Sequence, residues 1–416
     1  MTTLDLPRVA RIRQRFAAER ITDVRQTVRE AVLQSGVGGR LQPGARVAIT
    51  AGSRGIGHIP DFLAALVGAL RELGAEPFIV PAMGSHGGAT AEGQREVLEG
   101  YGITEERTGA SIQATMDVVE IGRTPAGVPV YMDRLAWEAD GVVVCGRVKA
   151  HTAFKAPIES GLCKMLAVGL GKQRGAETMH RAGLATTIPE AARVALGTGK
   201  VVLGLAIVEN GADEPFRIQA AAPDQFHATD ETLLTLSNGL LPRIPFGQLD
   251  VLVVDWIGKN ISGSGMDPNV IGMWRRLGGE RKPDYKRIVA RDVTPESHGN
   301  ATGVGWADFT TQRLVDQIDK QAMYMNCITA NAPDIARIPI TAVSDREAIE
   351  LAIKTATPAG PVRLARVHST LRLEEMYVSE ALLGEVRAYP TLEVLDDPAP
   401  LQFDAAGRLG PPFVVK

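Results

Sequence analysis

Apolar and polar positions along this chain fall into blocks of two kinds. Largely apolar runs at ARVAIT (45–50), GAEPFIVPA (74–82), 128–131, GVVVCGRV (141–148) and GKVVLGLAIVENG (199–211) are bounded by Gly, Pro or charged residues. Such runs predict strands buried on both faces, the mark of a parallel sheet. Between the first two, Pro60 is placed to open a helix. Phe62, Leu63, Leu66, Val67, Leu70 and Leu73 then recur at helical spacing. Strand, helix, strand in that order predicts a right-handed crossover.

The pattern restarts after the Pro-rich PRIPFGQLD: LDVLVVDWIG, YKRIVARDVT and PVRLARVHST read as strands. WADFTTQRLVDQIDKQA and SDREAIELAIKTA read as helices. Residues 9–33 carry helical periodicity, and the tail from about 388 carries none. The predicted fold is α/β, with two α/β domains, largely parallel sheets and an active-site cleft between them. Residues 1–246 form the catalytic, cofactor-binding domain and 247–390 the second. The tail 391–416 is expected to pack back on the first.

Composition narrows the function classes. Of 416 residues, 45% are hydrophobic and 22% charged, and the net charge is −3. That balance suits a soluble enzyme and disfavours nucleic acid or an anionic membrane as partner. No apolar run approaches the roughly 18 residues that span a bilayer, and the N-terminus lacks the apolar core of a signal peptide. Three cysteines without a CxxC pair fit a reducing cytoplasm and exclude cysteine-only metal sites.

The candidate chemistry sits where strands end. Ligands of open parallel sheets bind beyond the carboxyl ends of the strands. Arg54 in AGSRGIGHIPD, His86 in AMGSHGGAT and His151 in RVKAHTAF each follow a predicted strand. Backbone N–H groups around Ser53 and Gly55, ahead of a helix start, suit a phosphate or carboxylate, and Arg54 adds a planar cationic fork. Lys164 interrupts the apolar GLCKMLAVGL, and His180 follows in TMHRAG. Lys259 and Asn260 end the strand that opens the second domain, with Lys259 a candidate contact to substrate oxygens. His58, His227 and His368 read as ordinary polar histidines; His298 stays open as a loop near the site.

Taken together, these residues resemble the nickel-dependent lactate racemase family, whose cofactor is a nickel-pincer nucleotide. The resemblance spans roughly residues 45–185. It implies that Arg54 holds the substrate carboxylate and that His86 and His151 are catalytic acid and base. It further implies that Lys164 carries the cofactor covalently and that His180, sixteen positions on, ligates nickel. The implied reaction is racemisation or epimerisation of a 2-hydroxy acid by hydride removal and return. Histidine suits the proton transfer because its pKa lies near neutrality. The extra polar groups Lys155 and Glu159 point to an acid larger or more polar than lactate, such as a sugar acid. Implied partners are that small acid and the enzymes that mature the cofactor; the oligomeric state, a homo-oligomer included, stays open. Two other readings remain: a zinc-type metallohydrolase using His86, His151 and His180, or a non-catalytic protein that binds nickel or a hydroxy acid.

Overall fold

The computed structural model describes residues 5–53, 55–410 and 413. It comprises two compact units, Ala17–Leu241, and a second that joins Met1–Phe16 to Pro242–Lys416. The chain begins with a departure from its periodicity. Residues 9–33, expected as a helix, divide into β1 (Arg8–Gln14) and α1 (Val24–Gln34). Val9, Ala10 and Ile12 of β1 are buried, and the strand pairs with segments more than 350 residues away. Long-range pairing overrides a local helical spacing here. Asp23 caps α1 by accepting from the Gln26 N–H.

The Ala17–Leu241 unit follows the predicted alternation. Its main elements are β2 (Arg46–Ala51), α2 (Ile59–Glu72), β3 (Glu76–Pro81), α3 (Ala91–Gly100), β4 (Val118–Arg123), β5 (Pro129–Asp133) and β6 (Gly141–Arg147). There follow α4 (Leu162–Lys164), α5 (Lys172–Ala182), α6 (Leu184–Gly197), β7 (Val201–Glu209), β8 (Pro215–Ala221) and α7 (Phe226–Leu240). The sheet order is β3-β2-β6-β7-β8. Its first four strands are parallel, and β8 closes one edge antiparallel. From β2 the chain steps outward to β3 and returns on the opposite side at β6. The loops leaving β2, β3 and β6 therefore share one carboxyl edge around a reversal of strand order, where ligands of such sheets bind. One apolar layer joins the sheet to α1 and α2 through Val28, Phe62 and Leu66. The other joins it to the α4–α7 side through Leu162, Met179, Ile188 and Phe226.

The second unit holds β9 (Gln248–Ile257), β10 (Asp284–Val293), β11 (Phe309–Thr311), α8 (Gln312–Asp316), α9 (Lys320–Thr329), β12 (Ile340–Ala342) and α10 (Asp345–Ala356). β13 (Leu364–Val367), β14 (Glu375–Ser379), β15 (Leu392–Val394) and β16 (Ala399–Pro400) complete it. Its sheet runs β12-β11-β10-β9-β13 in parallel, then continues antiparallel through β14, β1 and β15. Both units are α/β with mostly parallel cores.

Three expectations change. The division lies at 241/242 instead of 246/247, and residues 1–16 belong to the second unit. The helix expected from 306 to 322 is β11 followed by two short helices, because Phe309–Thr311 extend the parallel ladder beside β10. Among the described residues the tail pairs within the second unit. β15 and β16 pair with β1, and Leu409 bonds through its N–H to the buried carboxylate of Asp345. Among the described residues no helix is long and apolar enough to cross a membrane.

Candidate active site

The carboxyl edge of β3, β2 and β6 is built by glycines that admit a crossing segment. Residues 162–182 pass over it. A side chain at Gly146 would meet Met165 at 3.0 Å, one at Gly52 would meet Met165 at 3.6 Å, and one at Gly84 would meet Val168 and Ala176. After α4 the segment widens into a π-helical turn, Met165–Gly169, closed by the Leu170 N–H on the Met165 carbonyl. Such turns recur at functional sites. Gly169 accepts from the Gly84 N–H, which ties the turn to the loop after β3. Lys164 thus lies beside the ends of β2 and β6, and the start of α5 beside the end of β3.

His86 is exposed in the loop after β3. Its Nδ1 lies 2.7 Å from the Met83 carbonyl. A carbonyl only accepts, so Nδ1 carries the proton of the neutral ring and Nε2 is the basic nitrogen. His151, half-buried after β6, has the opposite arrangement. Its Nδ1 accepts from the Ala153 N–H at 3.0 Å, which puts the neutral ring's proton on Nε2. β3 and β6 flank β2, so the two loops start about 10 Å apart by ordinary strand spacing.

The loop around His151 is pinched shut twice. Ser160 Oγ accepts from the Lys149 N–H and donates to the Lys149 carbonyl, both at 2.7 Å. Glu159, 3% exposed, accepts from the N–H groups of His151 and Ala156 and from Lys155 Nζ. Glu159 is therefore spent on the loop's own backbone. Of the two polar groups taken as a sign of a larger acid, only Lys155 projects outward. The next residue, Gly161, has φ +88°, and a side chain there would sit 2.2 Å from Asp230 Oδ1. The Asp230 carboxylate, reaching in from α7, accepts from the Leu162 and Cys163 N–H groups. It thereby caps the turn that presents Lys164. Burial pushes the Asp230 carboxyl up to about 6, against the lowering effect of those N–H bonds.

Lys164 and His180 lie on the same crossing segment, in α4 and α5. The pKa of His180 is lowered, first by desolvation and second by the positive charge of Lys164. The ring still reaches solvent, so the surrounding protein only partly dehydrates it. Both effects favour neutral imidazole, the form that ligates metals. Among the described residues no three His, Cys, Asp or Glu side chains converge as a metal site.

Arg54 lies outside the described residues. Its neighbours Ser53 and Gly55 are held from two sides. The Tyr101 hydroxyl donates to the Ser53 carbonyl at 3.0 Å, and a side chain at Gly55 would stand 3.4 Å from the Tyr101 ring. Two residues on, the Gly57 N–H donates to Glu209 Oε1, while the other oxygen of Glu209 pairs with Arg147. In the second unit, Lys259 follows β9, with its N–H on Ser297 Oγ and its Nζ on the Gly263 carbonyl. His298, in a left-handed conformation, follows Ser297 on the neighbouring strand's loop. His58 pairs with Glu214, and His227 bonds to the Pro189 carbonyl.

Five residues that support this edge were not singled out from the sequence: Gln94, Asp133, Lys172, Glu209 and Asp230. Only Lys172 left a signal. Like Lys164, it is a lysine inside a glycine-flanked apolar stretch, GLGKQRG.

Residues 15–190 match the family described as the lactate racemase N-terminal domain, a span containing His86, His151, Lys164 and His180. No protein of curated function matches the chain. Among solved structures, the lactate racemase apoprotein from Thermoanaerobacterium thermosaccharolyticum aligns with a TM-score of 0.52 at 13% identity. The alignment covers 87% of this chain and 94% of that one. At that identity the likeness concerns the fold.

Proposed function

From the premise that this chain belongs, through residues 15–190, to the lactate racemase family, we propose that it inverts the hydroxyl-bearing carbon of a 2-hydroxy acid with a nickel-pincer nucleotide. Family membership makes the chain an isomerase of the racemase type. One observation supports the finer reading: Lys164 and His180 lie on a single segment that crosses the strand ends from which the loops of His86 and His151 leave.

The residues present fit the cofactor. An amine for covalent attachment, Lys164, and a neutral imidazole, His180, are what a nickel with most donors supplied by an organic pincer requires of a protein. A zinc hydrolase needs three protein ligands, and no such group occurs among the described residues. When bound, the cofactor would supply the acceptor and donor of hydride.

The protein's own task is to hold the acid and manage the hydroxyl proton. His86, whose basic nitrogen is Nε2, takes that proton from one enantiomer. His151 donates a hydrogen bond from Nε2 to the same oxygen. Serving as the base for the other enantiomer requires release of the Ala153 N–H from Nδ1, so that the proton can change nitrogen. Arg54 holds the carboxylate, Ser53 and Gly55 offer backbone donors beside the cofactor, and Lys259 is assigned a second contact to substrate oxygens. Lys155 is the remaining cation that would favour a more polar acid.

The test is expression with the cofactor-making enzymes, followed by intact mass, metal analysis and chiral separation over a panel of 2-hydroxy acids. The expected result is an adduct on Lys164, about one nickel per chain, and inversion in heavy water without label at the inverted carbon. Zinc without an adduct, or label at that carbon, would refute the mechanism. Nickel and adduct without turnover of any acid would favour a binding protein.

A further inference from the structure

Among the described residues of the first unit, the most deeply buried cation does not belong to the proposed machinery. Lys172 is 0% exposed, and its Nζ stands 3.0 Å from Asp133 Oδ2, also 0% exposed. The same ammonium donates to the Pro81 carbonyl, at the last residue of β3, and to Gln94 Oε1 at 3.1 Å. Two of its protons are thus given to acceptors on two elements, and the Asp133 carboxylate on a third faces it as counter-ion.

Gln94 carries the connection onward. Its side chain is fully buried, and its Nε2 donates to the Gly84 carbonyl at 2.8 Å and the His86 carbonyl at 3.3 Å. Between those carbonyls lies the turn in which the Met83 oxygen accepts both the His86 N–H and His86 Nδ1. The chain of contacts from ammonium to imidazole is thus Lys172, Gln94, the 84–86 backbone, His86. Close approach of α3 is needed for this relay. A side chain at Gly87 would lie 2.4 Å from Gly93, and one at Gly93 would lie 2.1 Å from Gly87.

Lys172 is also the first residue of α5, the helix of His180, and its backbone is left-handed at φ 53°. A non-glycine residue held there is strained. A glycine at 172 would relieve that strain. Lysine there makes sense where the ammonium is needed at that point. A purely apolar core would be filled more cheaply by leucine, since burying an ion pair costs desolvation on both partners.

We propose that Lys172 is a positioning residue of this site: with Asp133 as counter-ion it fixes, through Gln94, the turn that orients His86, and it anchors to the same point the helix that carries His180. The inference rests on the reading of His86 as base and His180 as ligand.

The test uses full-length protein, produced with the cofactor-making enzymes and selectively 15N-labelled at histidine. Gln94→Met removes the relay and leaves the ion pair intact. His86 should then lose its preference for the Nδ1–H form by about fivefold, the worth of one ordinary buried hydrogen bond. kcat should fall with KM unchanged, and the His151 signals should not move. Lys172→Met/Asp133→Asn removes both buried charges and keeps the acceptor that Asp133 Oδ1 offers the Ala136 N–H. This double variant should show the same His86 change and, unlike Gln94→Met, a loss of nickel per chain.

Wild-type His86 signals in both folded variants would overturn the orienting role. Wild-type nickel in the double variant would overturn the anchoring role. A shifted His86 tautomer with undiminished kcat would uphold the positioning of the ring and remove His86 from the proposed chemistry, so the two readings fail separately.

Discussion

The two strand-end loops that flank β2 are anchored by opposite chemistry. The His151 side is held by carboxylates: Glu159 gathers the loop's own N–H groups, and Asp230 caps the turn into Lys164. The His86 side is held by a carbonyl, a neutral amide and a buried ammonium. Each anchor matches what its loop exposes inward, since the first presents backbone donors and the second backbone acceptors. The same contrast leaves the imidazoles in opposite tautomers. The proposed site, which would have to treat two mirror-image substrates alike, is supported by two unlike halves.

The contrast can be broken most strongly at the imidazoles. His86→Gln and His151→Gln should each lower kcat about 10²–10⁴-fold, the usual worth of a general acid or base, with nickel per chain unchanged. If one variant keeps wild-type racemisation by chiral assay, the site works with a single base.

Asp230 offers the next largest effect. Its folded pKa of about 6 lies above the ordinary 3.8, so the native state binds this proton more tightly than the unfolded chain. The contribution is fully present below pH 3.8 and is lost as pH rises through about 6. Relative to Asp230→Asn, wild type should gain on the order of 2–3 kcal/mol as pH falls from 7 to 4. Denaturant unfolding at stepped pH measures this; parallel curves for the two proteins would mean that Asp230 does not titrate in the fold.

Glu159→Gln should cost about 2 kcal/mol, since hydrogen bonds to a buried charge exceed neutral ones. Histidine 15N spectra should show His151 disturbed and His86 unmoved. Disturbance of both rings would show that the two anchors are coupled. Lys155→Met should change stability by less than about 1 kcal/mol, because its side chain is 39% exposed beside Glu159. A rise in KM confined to acids with extra hydroxyls or charges would place Lys155 at the substrate and restore the case for a polar acid.

Legibility in the sequence followed the range of the forces involved. Buried strands such as Gly141–Arg147 and Gln248–Ile257 were readable because their apolar runs are short, rich in β-branched valine and bounded by turn residues, which suits a strand covered on both faces. His86 and His151 stood out as candidates because each follows a predicted strand, and Lys164 because it interrupts an apolar stretch; His180 was chosen only through the spacing that the family resemblance implies. β1 was not, because its partners lie near residues 375–379 and 392–400. Asp230 was equally hidden, since its partners are N–H groups 67 and 68 positions earlier, and an acidic residue in a helix announces nothing.

By itself, the order of apolar runs, turns and isolated polar residues determined that this protein is α/β and which polar residues follow its strand ends. That follows because hydrophobic burial and backbone hydrogen bonding act on every residue and print a period on the chain. Only the tertiary structure decided which nitrogen of each histidine holds its proton, that Glu159 serves its own loop, and that Lys172 stands beneath His86. Those outcomes depend on single hydrogen bonds between residues distant in the chain. A hydrogen bond is directional and short-ranged, so it exists only once folding has brought its two partners to the same place.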